Sequence, residues 1–221
     1  MQPLIFVAFF TAGIFGGADP LTVRGRIAAV PGLVDAATIV LELQVELRYA
    51  TPDNFLNEPI YGDLRQCFLN RDAAAMLATA QSALRDAHPD LRLRVYDCAR
   101  PQFVQEQMWK LVAGTPEQSY VADPARRSIH NFGCAVDLTV ADAKGQPLDM
   151  GTPYDFFGDL AGPSHEERFL AEGRLTPTQV ANRLILRDAM TQAKWRTIGN
   201  EWWHFDCAPQ KDARRRYPPI P

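Results

Sequence analysis

The sequence is sparing with the residues that most often mark chemistry: 221 residues hold four histidines, four cysteines and four tryptophans. It contains no H-E-x-x-H helix motif, which removes the commonest zinc-protease signature. It contains no C-x-x-C pair, which argues against a zinc ribbon or a thioredoxin-type redox site. Basic residues are not in excess, with 23 Lys and Arg against 26 Asp and Glu for a formal charge of −3. A nucleic-acid binder would normally carry a basic field, so no nucleic-acid partner is expected. Internal repeats, low-complexity blocks and Gly/Ser linkers are absent too. What remains is ordinary globular material, 47% hydrophobic and 22% charged, long enough to bury a substantial core as one domain.

Residues 3–18, PLIFVAFFTAGIFGGA, carry no charge. As a helix they would rise only about 24 Å, short of the roughly 30 Å hydrocarbon core. The length suits the apolar region of a signal peptide over residues 1–18, with Gly16, Gly17 and Ala18 as a cleavage zone, although no Lys or Arg precedes it. The alternatives are a buried N-terminal element or a short retained anchor. Export to the periplasm or cell envelope is therefore expected, with a cytoplasmic location as the alternative and no stable membrane insertion once the signal is removed. The even number of cysteines (Cys67, Cys98, Cys134 and Cys207) fits an oxidising compartment, and three pairings are open.

Further along, residues 38–49 alternate apolar and polar, with Ile39, Leu41, Leu43, Val45 and Leu47 on one side, and predict a strand. Asn70 is placed to cap a helix running to about Ala87, with Ala73, Met76, Leu77, Ala80 and Leu84 as its apolar stripe and His88-Pro89 as its end. Leu91, Leu93 and Val95 predict a second strand leading to Asp97 and Arg100, and Pro101 opens a helix to about Ala113. A strand is expected over Cys134 to Val140 and a short one around Trp203 to Asp206. Between them Thr176 can cap a long helix with Val180, Leu184, Ile185 and Met190 inward. This order predicts an α+β single domain over about 34–210, with a central, mainly antiparallel sheet flanked by helices. Residues 211–221, basic and Pro-rich with Arg214, Arg215 and Arg216, read as a solvated tail.

Two segments carry chemistry: Ser128-Ile129-His130-Asn131-Phe132-Gly133-Cys134-Ala135-Val136-Asp137-Leu138, and Glu201-Trp202-Trp203-His204. An aspartate inside an apolar strand is costly unless it is paired or binds a metal. His130, Asp137 and His204 together would make a three-ligand zinc site with one position open, the catalytic arrangement. Glu201 beside two tryptophans would then act as general base, its pKa raised by the apolar setting. Arg100 at a helix start can hold an oxyanion. Each piece also has a plain structural reading: a histidine among aromatics as a satisfied core residue, Asp137 as a turn cap or partner of Arg126 or Arg127. The residues alone reach no further than a candidate zinc hydrolase.

Taken in order, S-x-H, G-x-A-x-D and E-x-W-H resemble the signature of the D-alanyl-D-alanine metallopeptidases, in particular the VanX-type D-Ala-D-Ala dipeptidases. The likeness extends to Leu47-Arg48-Tyr49-Ala50-Thr51 with Asn54-Phe55, to Asp97 with Arg100-Pro101, and to Val121-Ala122-Asp123-Pro124. It includes Asp149-Met150-Gly151-Thr152-Pro153 with Asp155, where Tyr154 stands in place of the usual phenylalanine, and the final helix at Asn182-Arg183, Leu186 and Met190. It covers about Val34 to Asp206. The resemblance implies one zinc ion per chain on His130, Asp137 and His204, Glu201 as catalytic base and Arg100 as transition-state stabiliser. It implies Ser128 as a substrate-carboxylate contact, Ser128 being equally a turn hydroxyl, and Tyr49 and Asp155 as residues lining the site. It further implies the fold shared with hedgehog-type domains, and hydrolysis of D-Ala-D-Ala to D-alanine in peptidoglycan turnover. A carboxypeptidase trimming longer peptidoglycan stems is the enzymatic alternative, and a non-catalytic zinc-binding module the other. His88 and His165 match no ligand position and read as surface or loop residues. Cys98 and Cys134 each lie near a proposed catalytic residue, where a disulfide can brace the site or both can be small buried hydrophobes. Sequence leaves the oligomeric state open.

Overall fold

The computed structural model describes residues 22–221. The signal peptide expected over residues 1–18 lies outside them. Helix α1 (Val23–Ala28) opens the described chain, and β1 (Leu33–Asp35) pairs antiparallel with β3 (Phe68–Asn70) as a small two-stranded sheet. The main sheet has five strands in the order β2 (Gln44–Val45), β4 (Leu91–Asp97), β5 (Ala135–Asp142), β7 (His204–Asp206), β6 (Arg196–Thr197). Only β2 runs parallel to its neighbour. The other three pairings are antiparallel, so the predicted α+β domain with a mainly antiparallel sheet is what forms.

Helices α2 (Arg71–Ala87) and α5 (Pro177–Gln192) pack on each other and on the sheet, α2 against β4 and α5 against β5 and β6. Their burial drives the assembly: Leu77, Leu84, Leu93, Leu138 and Met190 are fully or almost fully excluded from water, each buried side chain of this size stabilising by roughly 1.5–3 kcal/mol. Helix α3 (Gln102–Val112) starts after Pro101, which sits at its N-cap position rather than inside it, and α4 (Glu166–Ala171) precedes α5. Thr176 caps α5 as expected, in a reciprocal box with Gln179: the Gln179 amide donates to Thr176 Oγ1 at 3.2 Å and the Thr176 amide to Gln179 Oε1 at 2.9 Å.

Four local expectations are corrected. Residues 38–49 do not form one strand. Asp35 holds a tight turn over Ala36–Thr38, Glu42 takes a left-handed φ of 59°, and only Gln44–Val45 pair with β4 before a second turn at Arg48–Ala50. Leu41 is 69% exposed while Val40 is buried, so the alternation was real in composition but not in direction. Helix α5 buries Met190 and packs Ile185 against the core as predicted, but Leu184 is exposed and Arg183, Leu186 and Ala189 are buried in its place. Arg183 is the buried polar member of this face, its Nε donating to the Met150 carbonyl at 2.7 Å and its Nη2 to the Leu160 carbonyl at 3.0 Å.

Asn70 does not cap α2 with its side chain; its Nδ2 donates instead to the Phe132 and Gly133 carbonyls, tying α2 to the segment before β5. Finally, 211–221 is no solvated tail. Helix α6 (Gln210–Arg216) is docked, Arg214 Nη2 donates to the Arg126 and Arg127 carbonyls, and Ile220 is fully buried with its backbone bonded to Gln102 and Asn131. Among the described residues no helix is long and apolar enough to cross a membrane.

Candidate active site

Strand pairing brings the chemistry together. Asp137 on β5 lies opposite His204 on β7 and, on the other side, opposite Asp97 at the end of β4. His130 arrives from a single 3₁₀ turn, Ile129–Phe132, that leads into β5. Ser128 caps that turn: its Oγ accepts the His130 amide at 3.3 Å and its own amide donates to Asn131 Oδ1 at 2.7 Å. Gly133 ends the turn in the left-handed region with φ 60°, and a Cβ there would come within 2.5 Å of the Leu33 side chain, so glycine lets the chain pass from His130 into β5 without strain. The Arg100 amide donates to the His130 carbonyl at 3.0 Å and Asn131 Nδ2 to the Arg100 carbonyl at 2.8 Å, locking the two loops to each other.

Three donor atoms converge: His130 Nε2 is 3.2 Å and His204 Nδ1 2.9 Å from Asp137 Oδ1, and the two nitrogens are 3.3 Å apart. A tetrahedral ion with bonds near 2.0–2.1 Å needs its donors about 3.3 Å apart, so this triangle can hold a metal ion. The tautomers agree. His130 Nδ1 faces the Cys98 carbonyl at 2.7 Å, and a carbonyl can only accept, so Nε2 carries the lone pair. His204 Nε2 faces Asp206 Oδ1 at 3.0 Å, which leaves Nδ1 as the donor to a metal. Burial works against an ionised Asp137, but the adjoining His130 and His204 outweigh it and hold the carboxyl well below its usual range. A charged, ligating carboxylate is therefore available.

The donors open onto a cavity of about 240 Å³ that Glu201, Arg100, Ser128, Tyr49 and Asp155 also line. All eight residues singled out in the sequence thus meet in one place. Burial, offset in part by the histidines, pushes Glu201 up to about 7, the range in which a carboxylate is an effective base at neutral pH. Arg100 is buried, with Nε donating to Asp97 Oδ2 at 2.9 Å, Nη1 to Gln105 Oε1 at 2.8 Å, and Nη2 also bonded to Asp97. Tyr61 donates to the other Asp97 oxygen at 2.6 Å, so Asp97 fixes the guanidinium from a fully buried position. Tyr49 donates to Asp155 Oδ2 at 2.9 Å, and burial together with the nearby Asp137 charge raises the Asp155 carboxyl well above its normal range. Asp137 pairs with neither Arg126 nor Arg127; its nearest guanidinium nitrogen is Arg100 Nη2 at 3.9 Å.

Four contributors were not assigned to the site from sequence. In the sequence Asp97 reads only as part of a turn. Asp206 orients His204, and its place two residues along the same strand was a signal, since strand neighbours at i and i+2 share a face. Tyr154 donates to Asp137 Oδ2 at 3.0 Å. Arg127 lines the cavity next to Ser128, exposed and in a left-handed backbone conformation (φ 59°), its guanidinium without a partner among the described residues. His88 and His165 lie away from the cavity. The cysteines pair as Cys67–Cys98 and Cys134–Cys207. Cys98 and Cys134 are thus joined to other partners and not to each other, yet both bonds border the site: one next to Asp97, the other across the β5–β7 pair.

The sequence profile of the family described as D-ala-D-ala dipeptidase matches residues 30–221. A D-alanyl-D-alanine dipeptidase of Escherichia coli (strain K12) is 37% identical over 174 residues, 79% of this chain and 83% of that protein. One of Streptomyces coelicolor is 28% identical over 182 residues, 76% of this chain and 87% of that protein. One of Enterococcus faecium is 26% identical over 185 residues, with the same shares. With the profile spanning nearly all the described residues and the fold carrying its motifs into one cavity, the chain belongs to the D-Ala-D-Ala dipeptidase family of peptidases.

Proposed function

We propose that this protein is a zinc-dependent dipeptidase that hydrolyses D-Ala-D-Ala to free D-alanine in peptidoglycan dipeptide turnover. The observation that carries the reading is the meeting, in one cavity of about 240 Å³, of three metal donors, a carboxylate tuned to about 7 and a buried arginine. That volume lies below the roughly 300–1,000 Å³ typical of pockets for drug-sized ligands, which favours a dipeptide over a longer peptidoglycan stem. The two-histidine, one-carboxylate donor set is that of catalytic zinc peptidases.

His130, Asp137 and His204 would hold the zinc ion, which when bound would supply Lewis acidity to the scissile carbonyl and to the attacking water. Glu201 takes a proton from that water as its oxygen bonds to the carbonyl carbon, and returns the proton to the amine as the C–N bond breaks. Arg100, held by Asp97, places positive charge beside the developing oxyanion without having to reorganise. Asp155 with Tyr49 meets the substrate ammonium, whose charge would favour the ionised form of Asp155. Ser128 and the Arg127 guanidinium face the substrate carboxylate from another segment of the chain. Phe55, Phe156, Phe157 and Trp203 line the remaining wall and limit water. A binding module would need neither Glu201 nor Arg100, and both are present at the cavity.

The testing experiment measures D-alanine release from D-Ala-D-Ala and from a pentapeptide ending in D-Ala-D-Ala, with chelator and after zinc re-addition. Zinc-restored release from the dipeptide is expected. Release indifferent to chelator would overturn the zinc reading, and preference for the pentapeptide would favour the carboxypeptidase. For location, export through residues 1–18 is supported by the absence of free cysteines among the described residues. Mass spectrometry of the mature protein would show a truncated N-terminus and no titratable thiol; an intact Met1 with four thiols would refute export.

A further inference from the structure

A carboxylate ligand has two oxygens, and this site presents one. Asp137 Oδ1 faces both histidine nitrogens, whereas Oδ2 accepts the Tyr154 hydroxyl at 3.0 Å. The guanidinium nearest to Oδ2, Arg100 Nη2, stands 3.9 Å off and is bonded to Asp97. The same Tyr154 oxygen is 3.4 Å from the Tyr49 hydroxyl, which itself donates to Asp155. Tyr154 thus stands where the donor triangle and the substrate-facing pair meet.

We infer that Tyr154 is a positioning residue for the metal site: its hydroxyl engages Asp137 Oδ2 and makes Asp137 a one-oxygen ligand. The inference rests on reading His130, Asp137 and His204 as that site. A carboxylate binding through both oxygens would fill a further coordination position, the one that water and substrate need. An unsatisfied buried Oδ2 would be drawn toward the cation; a hydrogen bond removes that pull. The ring is held independently of its hydroxyl, edge-on to Trp203 at 5.4 Å and to Tyr49 at 6.2 Å, and tilted against Tyr96 at 5.1 Å. Tyr154→Phe therefore removes one oxygen and little else. Phenylalanine is also the residue usual at this place in the resembled motif.

The test compares wild type and Tyr154→Phe in zinc competition against a chromophoric chelator, and in the visible spectrum of the cobalt(II)-loaded protein. The variant is expected to bind zinc about tenfold more weakly, the low end of what losing an outer partner costs. Its cobalt band is expected to lose intensity as coordination expands beyond four. Affinity within twofold of wild type overturns the inference. So does weaker affinity with an unchanged cobalt spectrum, which would report a general loosening of the fold. Failure of wild type itself to bind one zinc would instead refute the underlying metal site.

Discussion

Asp137 and His204 face each other across the β5–β7 pair, with Asp137 Oδ1 2.9 Å from His204 Nδ1. Their register places two of the three donors on directly paired residues, so the sheet itself sets the spacing. His204→Ala should abolish stoichiometric zinc binding, leaving two donors, while thermal unfolding stays cooperative. Metal analysis after dialysis checks this; a variant that retains one tightly held zinc would remove His204 from the ligand set.

Glu201→Gln keeps size and polarity but cannot accept a proton. It should lower kcat on D-Ala-D-Ala by about 10²–10⁴-fold with zinc content unchanged. The pH sign follows from the base acting in its ionised form. Below its pKa Glu201 is protonated and idle, so kcat/KM should fall about tenfold per pH unit on the acid side. The break should lie at or below the value of about 7 set by burial, because a bound cation favours the carboxylate further. A log kcat/KM profile flat down to pH 4 would exclude this role.

Arg100 spans Asp97 and Gln105, a geometry that a lysine cannot reproduce. Arg100→Lys should lower kcat by about 10²–10³-fold, on the scale of removing one oxyanion donor. Arg100→Ala should in addition destabilise the fold by about 3–5 kcal/mol, since Asp97 would be left buried and unpaired. Steady-state kinetics and urea unfolding separate the two effects.

Arg127, whose guanidinium has no partner among the described residues, lies beside Ser128 and should act on the substrate carboxylate alone. Arg127→Ala is expected to raise KM for D-Ala-D-Ala about tenfold, the size of a charge-assisted hydrogen bond, with kcat little changed. The C-terminal amide of the dipeptide should be cleaved equally by both proteins. An equal loss on the amide would show that Arg127 serves the loop and not the carboxylate.

The disulfide Cys134–Cys207 closes 73 residues and clamps the strands that carry Asp137 and His204. Replacing both cysteines by serine should cost about 2–4 kcal/mol of unfolding free energy. Denaturant unfolding measures it, and an unchanged midpoint would mean that the bond adds nothing to stability.

Much of this was legible in the one-dimensional order. The α2 stripe, the Thr176 cap and the β5 run read directly because their signals are local. Asp137 stood out because an aspartate in an apolar strand is costly unless it is paired or binds a metal, and the family resemblance joined it to His130 and His204 as candidate donors. Residues 38–49 misled because alternation signals a strand but cannot show whether a sheet edge is there to receive it; β4 accepts only Gln44 and Val45 at that edge. The inward face of α5 misled because hydropathy counts arginine as outward, whereas Arg183 finds the Met150 and Leu160 carbonyls inside.

By itself, then, the sequence pointed to the fold class and to the family whose motif order it follows, and through that resemblance to eight candidate site residues. These depend on local pattern and on residue chemistry. Tertiary structure decided which cysteines pair, that α6 and Ile220 dock, that Tyr154 bonds Asp137, and that the Arg127 guanidinium reaches the cavity without a partner among the described residues. Those are contacts between segments far apart in the chain. Their geometry is set by strand register and side-chain packing, which no local periodicity encodes.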